Sequence, residues 1–515
     1  MKKNLIYVFL VVMAGIFACN KPEDNLPEPQ AGVLKQKANP VAVPAGDPLS
    51  QQDLDKTVIG LLESRNDFQW EWVDVKTLWS AVQYNDHSVA IGYKPLGAGD
   101  ISGKLHEINV KSGAYKEVHD AMIAFILKEL NAVSENPVSL NDILVEDDQV
   151  LPILTVRLTD KNVLTALYNL ENVRYIEPLD YWPADRSRIS SSSGCDASTQ
   201  ALTAADYTTI TPGAILPWNY NNQNVPAAWN VSQGQGITIG VIDAGISSSQ
   251  PLLGASFNNG DSNVGRAIST DYTLGNGPYN SCTHGNSMCG QAAGPRNNQN
   301  ATTGVAYKSN LHFIRACNDV VLDASSEKTA VKNALIRMGN RGDVKIISMS
   351  IGTPFSSGVL KDGVDYAYGL GKFILAAAGT SFSWTSWWGV IYPAAYSSCV
   401  AVTGVKENGS KCSSCHDGGA VLYTITMERT ANSNRNSLTL PFSGVTPSYI
   451  GGSSSATATA AGIAALVWST KPNMTRAQLQ TCLTNTAQFY PSRNSTKGYG
   501  NLNAGSAVNY AIANY

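Results

Sequence analysis

Apolar residues Val118, Met122, Ile123, Ile126 and Leu127 recur at helical spacing over residues 115–130. Short apolar runs at 88–93, 143–145, 151–158 and 173–176, with a second helical stretch at 161–170, give the order strand, helix, strand, strand, helix, strand. This order predicts a small α+β domain over residues 56–182. Beyond residue 215 the pattern changes. Residues 236–242 are continuously apolar, as expected of a strand buried on both faces of a parallel sheet. Runs at 311–316, 344–349, 372–378 and 399–405 repeat the pattern, with helical stretches at about 326–338 and 363–370. Strands alternating with helices predict an α/β domain over 215–515 with a doubly wound, mostly parallel sheet. Function in such a domain sits at the carboxyl ends of the strands.

The chain ends and linkers have their own signatures. Met1-Lys2-Lys3 followed by the apolar run 5–17 reads as a signal segment over 1–18, too short to span a membrane as a mature helix. Ile16-Phe17-Ala18-Cys19 resembles the lipobox of bacterial lipoproteins, which implies lipidation of Cys19. An ordinary secretory signal with an incidental Cys19 is the alternative. The absence of Asp after Cys19 points to the outer membrane of a diderm cell envelope. Residues 19–55, with Pro22, Pro27, Pro29, Pro40, Pro44 and Pro48, read as a tether. The Ser-rich 183–201 stretch, with Arg186 and Arg188, opens an exposed linker over 183–214 that is open to proteolytic nicking.

Composition narrows the class. The 515 residues are 15% charged with a net charge of −3, so no basic patch supports a nucleic-acid partner. Beyond Cys19 there are eight cysteines, an even count that suggests disulfides in an exported chain, with the pairing left open. Cys412 and Cys415 invite a zinc reading, but without a second such pair a disulfide is expected.

Three segments carry candidate chemistry. Asp243 ends the 236–242 run in Val241-Ile242-Asp243-Ala244-Gly245, His284 opens His284-Gly285-Asn286-Ser287, and Ser454 lies in Gly452-Ser453-Ser454-Ser455-Ala456. Singly, each has a plain structural reading: a turn-opening Asp, a His at a helix start, an N-cap serine. Together Asp, His and Ser are the parts of a nucleophilic triad. Their spacing fits one domain, with room for loop insertions at about 255–280 and 408–448. Ser453 and Ser455 remain fallback nucleophiles.

The segments in this order resemble the subtilisin-like serine peptidases. The stretch from Gly452 through Ala461-Gly462 is similar to that family's nucleophile turn and Ala-rich helix, and places the nucleophile at Ser454. Gly304-Val305-Ala306, Tyr392-Pro393-Ala394 and the segment from Gly498 to Ala504 extend the likeness over about 215–512. Ser348-Met349-Ser350-Ile351-Gly352 resembles the substrate-binding strand, which implies that Ser350, Ile351 and Gly352 pair with an extended peptide. Ala376-Ala377-Ala378-Gly379-Thr380 departs from the family pattern, placing Thr380 where an asparagine normally serves the oxyanion. Losing one such donor costs on the order of 10²–10³ in turnover.

The β-α-β-β-α-β order over 56–182 is the ferredoxin-like arrangement. Asn172 to Pro178 resembles the last strand of the family's propeptides, which implies an intramolecular chaperone and inhibitor. The resemblance implies a serine endopeptidase made as a zymogen, which the lipobox-like segment would anchor by lipid, and a monomer is expected. Its expected partners are peptide or protein substrates, its own propeptide domain and the membrane. Cleavage before Cys195 would free the catalytic domain from the anchor, unless the propeptide stays docked. No cofactor is identified, and no contiguous loop declares the structural calcium frequent in the family. The alternative reading is a catalytically impaired surface lipoprotein that binds rather than cuts.

Overall fold

The computed structural model describes residues 32–84, 86–183, 195, 200–380 and 389–515. The signal segment and Cys19 lie outside the described residues, as does most of the 183–201 stretch.

The N-terminal unit begins earlier than the pattern predicts. Helices α1 (Gln51–Arg65) and α2 (Val75–Gln83) precede the predicted elements, capped by Ser50 and Asp74 accepting from the N–H groups of Asp53 and Thr77. Residues 32–50, read as free tether, lie on the unit: the Lys37 N–H donates to Asn169 O at 2.7 Å and the Leu49 N–H to Ser80 Oγ at 2.8 Å. Then follow β1 (Ser88–Tyr93), α3 (Gly113–Val133), α4 (Leu140–Ile143), β2 (Leu144–Asp147), β3 (Ile153–Arg157), α5 (Lys161–Tyr168) and β4 (Val173–Pro178). The four strands form an antiparallel sheet in the order β2-β3-β1-β4, the ferredoxin-like arrangement.

The second unit also starts before residue 215. Strands β5 (Tyr207–Ile210) and β6 (Ala214–Pro217) form a hairpin across the predicted linker boundary. Buried Asp206 secures it by accepting from Arg429 (2.9 Å), Arg435 (2.6 and 2.7 Å) and the Tyr449 hydroxyl (2.6 Å). After α6 (Val225–Trp229) come β7 (Thr238–Asp243), β8 (Ile268–Tyr272), α7 (His284–Ala293), β9 (Asn310–Arg315), α8 (Ser325–Asn340), β10 (Val344–Met349), α9 (Gly358–Gly369), β11 (Phe373–Ala377) and β12 (Val400–Lys406). Strands β13 (Val421–Arg429), β14 (Asn432–Thr439) and β15 (Ser448–Ile450) and helices α10 (Gly452–Thr470), α11 (Arg476–Asn485) and α12 (Ala504–Asn514) complete the chain.

These strands form one nine-stranded sheet, β15-β14-β13-β12-β11-β10-β7-β9-β8. The seven from β13 to β8 are parallel, and β14 and β15 add antiparallel at one edge. The regions expected as loop insertions contain β8 and β13–β14 instead. Helices α7 and α10 pack on one face, and α8 and α9 on the other. The chain leaves β7 for β8 and β9 on one side and returns to β10 on the other, so β7 borders the topological switch point.

The N-terminal unit packs on α8 and α9 through buried charge. Arg174 of β4 donates two hydrogen bonds to Asp362 of α9, at 2.6 and 2.7 Å, and the Tyr175 hydroxyl adds a third at 3.0 Å. Lys332 of α8 pairs with Asp148 and Glu146, and Glu177 accepts from the N–H groups of Gly358 (2.8 Å) and Val359 (3.2 Å) at the start of α9. Breaking a buried pair leaves a charge without compensation, at about 3–5 kcal/mol. Asp362→Ala is therefore expected to destabilise the full-length protein by that amount in urea denaturation. Arg174→Met with Asp362→Leu should lose much less, because no buried charge is stranded.

Candidate active site

The carboxyl ends of β7, β10 and β11 converge on the amino end of α10. Asp243 is the last residue of β7, with Ile242 in register with Met349 of β10 and Asp243 with Arg315 of β9. It has no exposed surface. Its Oδ1 accepts from the Ala244 N–H at 2.8 Å and faces Nδ1 of His284, also at 2.8 Å. A buried carboxylate there fixes the proton on Nδ1 and leaves Nε2 as the acceptor. Asp243 Oδ2 has no partner among the described residues.

His284 is the first residue of α7 and is 2% exposed. Asn286 ties α7 to its surroundings. Its Oδ1 accepts from Ser247 N–H at 2.9 Å, and its Nδ2 donates to the carbonyls of Pro441 and Phe442.

The three neighbouring serines open α10 and separate by what their hydroxyls do. Ser453 is fully buried: its Oγ accepts from Gly379 N–H at 3.0 Å and lies 3.1 Å from Thr380 Oγ1. Ser455 is also buried and accepts from Gln291 Nε2 at 2.7 Å. Ser454 is half-buried, and its Oγ makes only a long bond of 3.4 Å to Ser350 O. Ser454, His284, Ser350 and Thr380 line one cleft of about 340 Å³, walled by Val320, Val321, Ile391 and Ile450. The structure thus brings the predicted triad members to one place, with Ser454 at the start of a 19-residue helix whose dipole favours a developing anion.

Thr380 stands beside the helix start. Its Oγ1 accepts from Ser453 N–H at 3.2 Å. Gly452 has φ +76°, and a Cβ there would come within 2.6 Å of Thr380 Oγ1, so only glycine lets the threonine sit this close. If the Ser453 hydroxyl accepts from Gly379 and donates to Thr380, the Thr380 proton is left for the cleft.

The substrate-strand expectation needs one correction. Gly352 is not free for strand addition: its N–H donates to Val320 O and its carbonyl accepts from Leu322 N–H, both at 2.9 Å. The loop carrying Val320 and Val321 has added to that edge as a parallel bridge, Val321 to Gly352. Nothing in local spacing marks residues 320–322 as an edge partner, because the pairing joins segments about thirty residues apart. Ser350 keeps its main-chain oxygen at the cleft, and Ile351 is buried behind it.

Among the described residues, two disulfides are present, Cys195–Cys282 and Cys412–Cys415, while Cys289, Cys317, Cys399 and Cys482 are free. Cys412 and Cys415 are thus bonded to each other, as expected of a local pair. Among the described residues, the one cluster with ligand-like spacing is Cys195, Cys282 and Asp319, whose two sulfurs are already joined.

The sequence model of the Subtilase family matches residues 234–501, more than half of the chain. Thermitase of Thermoactinomyces vulgaris is 29% identical over 285 residues, covering 55% of this chain and 93% of that protein. A subtilisin of Bacillus pumilus is 32% identical over 285 residues, covering 54% and 93%. The M-protease of Shouchella clausii (strain KSM-K16) is 27% identical over 439 residues, covering 81% of this chain and 99% of that protein. The chain belongs to the subtilase family. It is a subtilisin-like serine endopeptidase.

His416, beside Gly379, is a buried group. Burial pushes its imidazole down to about 4. The folded state therefore holds it neutral, whereas the unfolded chain protonates it near pH ~6.5. The resulting stabilisation, on the order of 3 kcal/mol, is complete above pH ~6.5 and lost as pH falls towards 4. The urea midpoint of the wild type is expected to drop more steeply over this window than that of His416→Asn. Parallel curves would contradict it.

Proposed function

We propose that Ser454 is the nucleophile, His284 the general base and then acid, and Asp243 the group that orients His284 and stabilises its positive form. Ser454 attacks the scissile carbonyl carbon as its proton passes to His284 Nε2. The same proton then goes to the leaving amine, and water repeats the sequence on the acyl-enzyme. The buried 2.8 Å contact between Asp243 and His284, at the cleft that Ser454 lines, carries this reading. Thr380 and the Ser454 N–H supply the oxyanion donors. The long Ser454 bond is consistent with a resting site, since catalytic hydrogen bonds often tighten only on substrate binding. Peptide substrate enters against Ser350, and the Val320–Leu322 segment must part from Gly352 for a longer antiparallel pairing.

The N-terminal unit, on this reading, is the propeptide. Its ferredoxin-like sheet, its buried ion pairs with α8 and α9, and the extension of the M-protease match over 81% of the chain support that role. Export with a lipid on Cys19 rests on the lipobox-like segment and places the precursor on the cell envelope. Structural calcium, common in the family, would be an addition to this scheme and has no step in it.

A fluorophosphonate probe is expected to label the wild-type protein, and Ser454→Ala should abolish labelling without loss of folding. A folded wild type that stays unlabelled would favour the impaired, binding-only alternative. Processing has its own readout. The Cys195–Cys282 disulfide keeps Cys195 on the catalytic unit, so a cut before it severs every covalent link to the anchor. A C-terminally tagged protein is expected to appear as a shortened band in the medium. Full-length protein confined to membranes would contradict release.

A further inference from the structure

The turn Cys412-Ser413-Ser414-Cys415 takes no part in the chemistry above, yet it lies against it. Where β11 ends, Thr380 forms an antiparallel bridge with Cys415, and the His416 N–H donates to Gly379 O at 2.8 Å. The turn is an excursion from β12, fastened where Val405 bridges Lys411 and the Lys406 N–H donates to Ser410 O at 2.8 Å. Ser413 donates through its N–H (2.7 Å) and Oγ (2.6 Å) to the buried carboxylate of Glu428 on β13. The disulfide closes the turn, with both cysteines buried against Met427.

His416 completes the brace. Its Nδ1 donates to Gly389 O at 3.0 Å, and its carbonyl accepts from the Thr403 hydroxyl. Gly379 has φ +121°, and a Cβ there would fall 2.4 Å from His416 Nδ1, so the ring packs directly on the glycine. Its Nε2 is buried without a partner among the described residues, so the ring's role here is one of packing.

We propose that the disulfide-closed turn and His416 are positioning residues for the oxyanion donor Thr380. The inference rests on the roles assigned to Ser454 and Thr380. A threonine hydroxyl has less reach than a carboxamide, so the place of the Gly379–Thr380 main chain decides whether the hydroxyl meets the developing charge. Ser453 holds that segment from the helix side, and the turn holds it from the other. Displacement by about 1 Å can cost on the order of 10² in rate. The loss falls on kcat, because the oxyanion exists only in the transition state.

The test uses the full-length protein, with active sites counted by fluorophosphonate labelling. The double variant Cys412→Ser/Cys415→Ser is expected to lose at least tenfold in kcat per labelled site on a peptide substrate, with KM within twofold. Affinity for a peptide boronate, whose tetrahedral adduct occupies the oxyanion position, should fall in parallel. Adding Thr380→Asn, with its longer donor, should restore part of kcat. A merely structural role would lower the number of labelled sites and leave kcat per site intact. That result, or a fall in kcat with unchanged boronate affinity, overturns the proposal. If the double variant does not fold, His416→Asn is judged by the same two measurements. A folded wild type that the probe does not label overturns the underlying reading first, and is recognised before any variant is made.

Discussion

Asp243 is a carboxylate with no solvent exposure, and burying such a charge is costly unless it is paired. Its partner is His284, at 2.8 Å. Much of the second unit can be understood from this pair. β7 must be central, flanked by β9 and β10, for its last residue to be dry. Helix α7 must begin at the histidine itself, so that the ring reaches the strand end while its far nitrogen faces the cleft. The switch in strand order beside β7 opens the space into which the start of α10 brings Ser454.

Around the pair, hydroxyl groups are divided between structure and chemistry. Ser453 and Ser455 are spent on Gly379, Thr380 and Gln291, and Ser454 is left nearly unengaged. This division sets Ser454 apart in a run of three serines where residue type cannot. Thr380 is held in the same way, between the helix start and the Cys412–Cys415 turn. The main chain at Thr380 is thereby fixed from both sides. Preorganisation of this kind is what electrostatic catalysis requires.

The N-terminal unit meets the second through charge as much as through apolar surface. Arg174, Glu177 and Asp148 each find partners on α8 or α9. These charges would be left uncompensated, or solvated anew, on separation, which makes docking specific. Arg174 and Glu177 lie in the 172–178 segment that the sequence singles out, whereas Asp148, Lys332 and Asp362 do not stand out there.

The sequence by itself determined the periodic elements and the sheet class, and it singled out Asp243, His284 and Ser454 as candidates. Those signals are local: an apolar run for β7, a helical period for α3, and small-residue motifs around Asp243, His284 and Ser454. Legible too was the anomaly at Thr380, because the segment around it otherwise resembles the family. The tertiary structure decided what depends on contacts between distant segments. It paired Val320 and Leu322 with Gly352, drew β8, β13 and β14 out of expected loops, and began the helices of the N-terminal unit before residue 56. It also joined Cys195 to Cys282 and set Cys415 and His416 behind Thr380. Such pairings are decided by burial and hydrogen-bond satisfaction in the assembled fold, and a strand edge carries no mark in its own residues of the segment that will satisfy it.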